Sequence, residues 1–159
     1  MIAVVDDDVC FAEETQELLC ESGFQSVVVV THPHESSLAR LEQVQLLVLD
    51  LDIGGTSGLS VLQTLARRGH HPAVLMVSGS GRAALDSARI AACNGGFHVL
   101  GALQKPVSPT DFLEAVRLIE PRETIYSAPE AGIQAHGPET VLGSAPVDRS
   151  RDTNLPSRP

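Results

Sequence analysis

Five short apolar runs, separated by segments with helical spacing, constrain the fold of this chain more than any other feature. The runs lie at residues 2–5, 27–30, 44–49, 73–77 and 97–100. Continuous apolar runs of this length are typical of strands that are buried on both faces, as in parallel sheets. Strands that alternate with helices form α/β folds, with helices on both faces of the sheet. The sequence therefore predicts a (βα)₅ domain, a doubly wound parallel sheet of five strands.

Helix signals fall between these runs. Asp8 is placed to cap the first helix, and Gly23 follows its end. Ser108-Pro109 begins the last helix with a capping residue and a proline at the first helical position. The predicted helices cover 9–21, 33–41, a segment that begins after the glycine-rich stretch 54–58, 80–94, and a segment from 109 onward.

The character of the chain changes after residue 120. Six of the ten prolines lie from Pro121 onward, among glycine, serine and isolated charges, and apolar periodicity ends there. We predict one domain at 1–120 and a flexible, proline-rich tail or linker at 121–159, with no output domain.

Charge and apolar content exclude several classes of function. The net charge of −9 disfavours direct binding to nucleic acid, which needs a basic surface. No apolar stretch reaches the roughly 20 residues that span a bilayer, and the N-terminus lacks a secretion signal. The three cysteines lack metal-site spacing, which predicts small buried hydrophobic residues in a reducing compartment. We expect a cytoplasmic protein that contacts neither nucleic acid nor membrane.

Polar side chains follow four of the apolar runs, where the predicted strands end. Asp6 and Asp7 follow the first run, Asp50 the third and Ser78 the fourth, and Lys105, the only lysine in the chain, lies after the fifth. The carboxyl ends of parallel strands meet in one crevice, where open α/β sheets bind ligands. Three adjacent carboxylates repel one another unless a cation lies among them, and their oxygens suit Mg²⁺ or Mn²⁺. A phosphoryl group there also needs a positive charge, which Lys105 supplies.

Each of these signals has an ordinary structural explanation when it is taken singly. Acidic runs cap helices, Lys-Pro pairs occur in turns, and Ser-Gly pairs occur in loops. Their joint order within five βα units favours one shared site.

With these residues in place, the segment 1–120 resembles the receiver domain of two-component response regulators. The resemblance implies a flavodoxin-like fold with strand order 2-1-3-4-5. It also implies phosphoryl transfer onto an aspartate from a histidine kinase or a phosphotransfer protein. Asp50 would be the phosphoacceptor, and Ser78 and Lys105 would contact the phosphoryl oxygens.

The same resemblance implies how a metal ion is held. Asp7 would bind Mg²⁺ directly and Asp6 mostly through water, and Asp50 and the backbone carbonyl of Asp52 would complete the protein ligands. Gly58 matches the family glycine at the start of the third helix.

In function, the resemblance implies a signalling protein rather than an enzyme, with at most slow autophosphorylation from small phosphodonors and slow autodephosphorylation. The partners would be a sensor histidine kinase or phosphotransfer protein and a downstream protein on the face of helix four, strand five and helix five. The resemblance also allows a phosphorylation-dependent homodimer. The segment 96–107, GFHVLGALQKPV, is similar to receivers in cyclic-di-GMP phosphodiesterase regulators.

Three features of the sequence depart from the family pattern. Ile53-Gly54 stands where the family usually has Met-Pro, which predicts a looser loop. Asp52 adds a carboxylate beside the acceptor, which we expect to alter the lifetime of the phosphoryl group. Ala102 replaces the aromatic residue that usually moves with the loop at Ser78, which predicts a smaller or different allosteric change.

Two other functions are open at this point. Asp50-Leu51-Asp52, Ser78 and Lys105 follow the motif order of haloacid-dehalogenase-type phosphatases, which also form an aspartyl phosphate on Mg²⁺. Such phosphatases carry their magnesium-binding acids after the lysine, whereas the acidic pair precedes it here. A phosphorylation-independent binding module with the same fold is favoured by the missing aromatic residue and disfavoured by the intact acids and lysine.

Overall fold

The predicted strands form one parallel sheet. A computed structural model describes the backbone of residues 1–117 and all their side chains except those at 35 and 36, so the predicted tail at 121–159 lies outside the described residues. The strands are β1 (Ile2–Val5), β2 (Val27–Val30), β3 (Leu46–Asp50), β4 (Ala73–Ser78) and β5 (His98–Gln104). They pair in parallel in the order β2-β1-β3-β4-β5, which confirms the predicted (βα)₅ fold and strand order.

Within the described part of the chain, five helices connect and follow these strands. Asp8 caps the first, where its Oδ1 accepts the Phe11 N–H at 3.2 Å, and Ser108 Oγ accepts the Asp111 N–H at 3.1 Å in the last. The helices are α1 (Val9–Glu21), α2 (Glu35–Ala39), α3 (Gly58–Arg67), α4 (Arg82–Asn94) and α5 (Pro109–Val116). Among residues 1–117, no helix is long and apolar enough to cross a membrane.

The core has two layers, one on each face of the sheet. Alternate residues of a strand point to opposite faces, so each buried strand contributes to both layers. On one face, Ala12 and Leu19 of α1 and Phe112 of α5 pack against β1, β3 and β4. On the other, Leu62 of α3 and Leu85 of α4 pack against the same three strands. This double packing explains why the strands are continuous apolar runs rather than alternating ones.

Several predicted boundaries differ from the observed ones. β5 continues to Gln104, beyond the apolar run 97–100, because its pairing with β4 extends to the Ser78–Gln104 pair. The predicted second helix is a short α2 followed by a 3₁₀ turn at Arg40–Gln43. The prediction of buried cysteines was wrong, because all three thiols are free and lie at exposed positions.

The loop after β3 is a tight hairpin, so the prediction of a looser loop was wrong. Asp52–Ile53 pairs antiparallel with Thr56–Ser57 across Gly54 and Gly55. Both glycines have positive φ, +57° and +83°, as the two central residues of a type I′ turn require. The turn reverses the chain within two residues and leads directly into α3.

Candidate functional site

Lys105 lies between two buried carboxylates at the carboxyl end of the sheet. Its Nζ donates hydrogen bonds to Oδ2 of Asp6 and to Oδ2 of Asp50, each at 2.7 Å. The exposed fraction of the side chain is 18% for Lys105, 1% for Asp6 and 8% for Asp50. Two charge-assisted bonds at this distance are strong, and low exposure limits screening by water. The structure therefore brings together the lysine and two of the acids identified in the sequence.

The ends of β1, β3 and β5 place these side chains, and β4 lies between β3 and β5 in the sheet. Asp6 directly follows β1, Asp50 is the last residue of β3, and Lys105 directly follows β5. The Lys105 backbone N–H donates to the Ser78 carbonyl oxygen at 2.9 Å, which ties the end of β5 to the end of β4. The Lys105–Pro106 peptide bond is cis.

Burial and pairing shift the ionisation of both Asp6 and Lys105. Burial raises the pKa of Asp6 above its ordinary value of 3.8, and this outweighs the lowering by the hydrogen bond and charge of Lys105. Burial lowers the pKa of Lys105, but its hydrogen bonds to Asp50 and Asp6 more than offset this and leave it above 10.5. Lys105 therefore keeps its charge through the neutral range, and its ion pairs are lost only as the pH rises above that value.

The raised pKa of Asp6 predicts a pH dependence of stability in metal-free buffer. The folded protein binds this proton more tightly than the unfolded chain, so the contribution of Asp6 is complete below pH 3.8 and is lost as the pH rises through the raised pKa. Denaturant titrations of the parent and Asp6→Asn from acidic to neutral pH measure it. The stability of the parent relative to the variant should decrease with rising pH. An increase would contradict the assignment.

Asp7 completes an acidic triad that fits a divalent cation. Asp6, Asp7 and Asp50 each offer a carboxylate oxygen, and these atoms all lie within 4.8 Å of one another. The Asp7 side chain is exposed, and its Oδ2 accepts the Gly54 N–H at 2.9 Å. Magnesium binds hard oxygen ligands and commonly uses one or two carboxylates while it retains several waters. Asp6 and Asp50 are buried and Asp7 is exposed, so an ion held by the triad would remain accessible to water, which suits that coordination.

The residues around Asp50 fix its orientation. Asp50 Oδ1 accepts the Asp52 N–H at 3.1 Å, while the Asp52 carboxylate itself is exposed. Gly58 begins α3 against the end of β3, where an added Cβ would overlap the Asp50 carbonyl oxygen and approach Leu51 Cα at 3.1 Å. The family glycine that the sequence indicated at this position is therefore required by a close backbone approach.

Ser78 lies at the same end of the sheet. It is buried and ends β4, and its Oγ accepts the Ser80 N–H at 3.1 Å. Its strand neighbour Val77 pairs in register with Asp50. The hydroxyl is thus held on the strand adjacent to the acceptor candidate, at the start of the loop that leads to α4.

Among residues 1–117, the acids downstream of Lys105 do not join the cluster, and Glu120 lies outside the described residues. Asp111 and Glu114 are exposed on α5, and the acidic pair at the site is the upstream pair Asp6-Asp7. This arrangement disfavours the haloacid-dehalogenase-type phosphatase, whose magnesium-binding acids follow the lysine.

Two contacts of the site were not predicted from the sequence. The Asp8 backbone N–H donates to Asp6 Oδ1 at 3.0 Å, and Lys105 Nζ lies over the Phe11 ring, 4.3 Å from its centroid. The place of Phe11 in the first turn after the acidic run Asp6-Asp7-Asp8 is the only sequence signal that brings the ring near the site. That signal also fits an ordinary core position.

Comparisons with known proteins agree with this fold. The sequence model for the response regulator receiver domain matches residues 2–117. A crystal structure of a response regulator from Colwellia psychrerythraea is 24% identical, with a TM-score of 0.64 over 74% of this chain and 94% of that chain. A CheY-like response regulator receiver domain from Methylobacillus flagellatus is 25% identical, with a TM-score of 0.56 over 75% of this chain and 97% of that chain.

A third similar structure contains a modified aspartate and bound small molecules. It is a response regulator protein from Burkholderia pseudomallei with a phosphorylated aspartic acid, calcium ion and citrate. It is 23% identical, with a TM-score of 0.56 over 72% of this chain and 64% of that chain. Since the family model covers most of the sequence, the chain belongs to the response regulator receiver domain family.

Proposed function

We propose that this receiver accepts a phosphoryl group on Asp50 from a phosphohistidine of a sensor histidine kinase or a phosphotransfer protein. The observation that carries the proposal is the position of Lys105, whose ammonium contacts Asp50 and Asp6 at 2.7 Å each. The phosphorylated aspartic acid of the Burkholderia pseudomallei protein supports the same chemistry by family analogy.

The transfer would be an in-line displacement at phosphorus. A carboxylate oxygen of Asp50 attacks, a phosphorus–oxygen bond forms, and the phosphorus–nitrogen bond to the imidazole breaks. The protein contributes mainly by positioning and charge stabilisation. The hydrogen bond from Asp52 N–H orients the Asp50 carboxylate, and Lys105 offsets the negative charge of the phosphoryl oxygens. The Ser78 hydroxyl would contact one of those oxygens.

Asp6, Asp7 and Asp50, with the backbone carbonyl of Asp52, would hold Mg²⁺ or Mn²⁺. The ion would supply positive charge to the acidic cluster and to the incoming phosphoryl oxygens. We propose a signalling role in the cytoplasm rather than turnover of a substrate, with only slow self-phosphorylation and dephosphorylation. A downstream protein, or a second phosphorylated copy, would bind the face of α4, β5 and α5.

Magnesium should raise the melting temperature of the parent protein by about 5 °C at roughly ten times its Kd, because it binds only the folded state. Asp7→Asn should remove this response, since one charged ligand is lost. The fold of the variant should persist, because Asp7 is exposed and an asparagine carbonyl can still accept the Gly54 N–H. Thermal unfolding with and without chelator measures the shift.

Asp111→Asn, an exposed acid on α5, is the matched control and should respond like the parent. An equal response in Asp7→Asn would refute the metal assignment.

Incubation with acetyl phosphate and Mg²⁺ tests the phosphorylation itself. Intact mass spectrometry should detect one phosphoryl adduct on the parent, none after chelation, and none on Asp50→Asn. A lasting adduct would distinguish a receiver from a rapid phosphatase. An unmodified parent that also releases no phosphate would instead favour the phosphorylation-independent binding module.

A further inference from the structure

The Phe11 ring contacts the Lys105 ammonium, and Phe11 is not among the residues that the family resemblance identified. Lys105 Nζ lies over this ring, 4.3 Å from its centroid. The face of an aromatic ring carries partial negative charge and attracts an ammonium group within about 6 Å. The attraction strengthens where water is reduced, and the Lys105 side chain is only 18% exposed.

Phe11 is held by the cap of α1 and by packing against the core. Asp8 Oδ1 accepts the Phe11 N–H at 3.2 Å, which anchors the first turn of α1. The ring also packs against the apolar layer that α1 shares with the sheet. Lysine carries its charge on a flexible four-carbon stem, so the ammonium adopts the position that its contacts impose.

An open groove lies beside this contact. It has a volume of about 760 Å³, and Phe11 and Lys105 both line it, together with residues of α1, the segment after β5 and Phe112 of α5. Two of the three ammonium hydrogens are directed to Asp6 and Asp50. The Phe11 ring covers part of the ammonium surface that faces neither carboxylate. Without the ring, that surface would border the groove.

We propose that Phe11 is a positioning residue, whose ring holds the Lys105 ammonium against Asp50 and prevents it from turning into the groove. The proposal rests on the proposed function, in which that ammonium must lie beside Asp50 when a phosphoryl group arrives. Phe11 would act through Lys105 and would not itself contact the phosphoryl group.

Two substitutions distinguish the effect of the aromatic ring from the effect of an apolar side chain at this position. Phe11→Leu keeps an apolar side chain but removes the ring face, whereas Phe11→Tyr keeps the ring. With acetyl phosphate and Mg²⁺, we expect phosphorylation to be about tenfold slower in Phe11→Leu and close to the parent rate in Phe11→Tyr. Denaturant unfolding of both variants verifies that the fold is intact.

A spectroscopic measurement reports the contact without phosphorylation. Because Lys105 is the only lysine, protein labelled with ¹³C-lysine gives side-chain signals from this residue alone. The ring current should shift the terminal methylene protons of Lys105 upfield in the parent and in Phe11→Tyr, and this shift should disappear in Phe11→Leu.

The two measurements together decide the proposal. Loss of the shift with slower phosphorylation in Phe11→Leu, and recovery of both in Phe11→Tyr, would support it. An unchanged rate in Phe11→Leu, or equal slowing in both variants, would overturn it. If the parent takes up no phosphoryl group, the proposed function fails, and the Lys105 signals alone then decide whether the ring holds the ammonium.

Discussion

Replacing Gly58 with alanine should lower the free energy of unfolding by about 3 kcal/mol, the size expected for an overpacked contact. An added Cβ would overlap the Asp50 carbonyl oxygen, which belongs to the backbone and cannot turn away as a side chain can. Alanine is the better helix former by about 1 kcal/mol, so helix propensity alone predicts the opposite sign. We expect the steric clash to outweigh the gain in helix propensity, because the clash can be relieved only if β3 and α3 move apart. The same movement displaces Asp50, so phosphorylation should slow as well.

Urea unfolding of Gly58→Ala and the parent measures this effect. Gly79→Ala is the matched control, because an added Cβ there meets no heavy atom within 4 Å and the glycine has no positive φ. Its stability should stay close to that of the parent. A Gly58→Ala protein as stable as the Gly79→Ala protein would show that β3 and α3 do not approach as closely as described.

Replacing Lys105 with methionine should lower the unfolding free energy by about 3 kcal/mol at neutral pH in metal-free buffer, because removal of one partner leaves buried charges uncompensated. Methionine fills similar space but leaves Asp6 and Asp50 without a counter-charge. Without Lys105 the pKa of Asp6 should rise further, so the folded state takes up protons more readily. The loss of stability should therefore shrink as the pH falls. Magnesium should also reduce the loss, since it would replace the missing positive charge.

Denaturant titrations at several pH values, with chelator or with Mg²⁺, measure this pattern. Lys105→Arg keeps a positive charge and should lose less stability than Lys105→Met. Arg82→Met removes an exposed cation, 83% accessible, and should have no measurable effect. A Lys105→Met protein that matches the parent at every pH would rule out net stabilisation by the lysine.

The architecture was predictable where local sequence and tertiary packing agree. The bounds of β1, β2 and α1 were predicted correctly, because both strands are apolar throughout and Asp8 caps α1. β5 was predicted too short, since it is only partly buried and its second half includes Gly101 and Gln104. Its extent depends on pairing with β4, which no local pattern reports.

The site was predictable because its residues occupy strand ends, whose positions follow from the topology. Asp6, Asp50 and Lys105 meet as expected once the strand order is known. The hairpin after β3 was misjudged, since Ile53-Gly54 in place of Met-Pro was interpreted as a looser loop. Two adjacent residues with positive φ, Gly54 and Gly55, instead build a defined turn. Gly54 also donates a hydrogen bond to Asp7, which a proline at that position could not do.

Other expectations stay predictions. Ala102 lies half-buried in β5, opposite Met76 in register, so the position of the usual switch aromatic carries only a methyl group. A smaller or different allosteric change is still expected from this substitution. The effect of the Asp52 carboxylate on phosphoryl lifetime and the likeness of 96–107 to receivers of cyclic-di-GMP phosphodiesterase regulators also stay predictions.

Locating the phosphoryl group on the chain tests most directly whether Asp50 is the acceptor. Borohydride reduces an acyl phosphate to an alcohol, so a phosphorylated aspartate becomes homoserine, which peptide mass spectrometry identifies at its position. After treatment with acetyl phosphate and Mg²⁺, we predict homoserine at residue 50 and its absence after chelation. Homoserine at Asp6, Asp7 or Asp52 with none at residue 50 would contradict the assignment of Asp50.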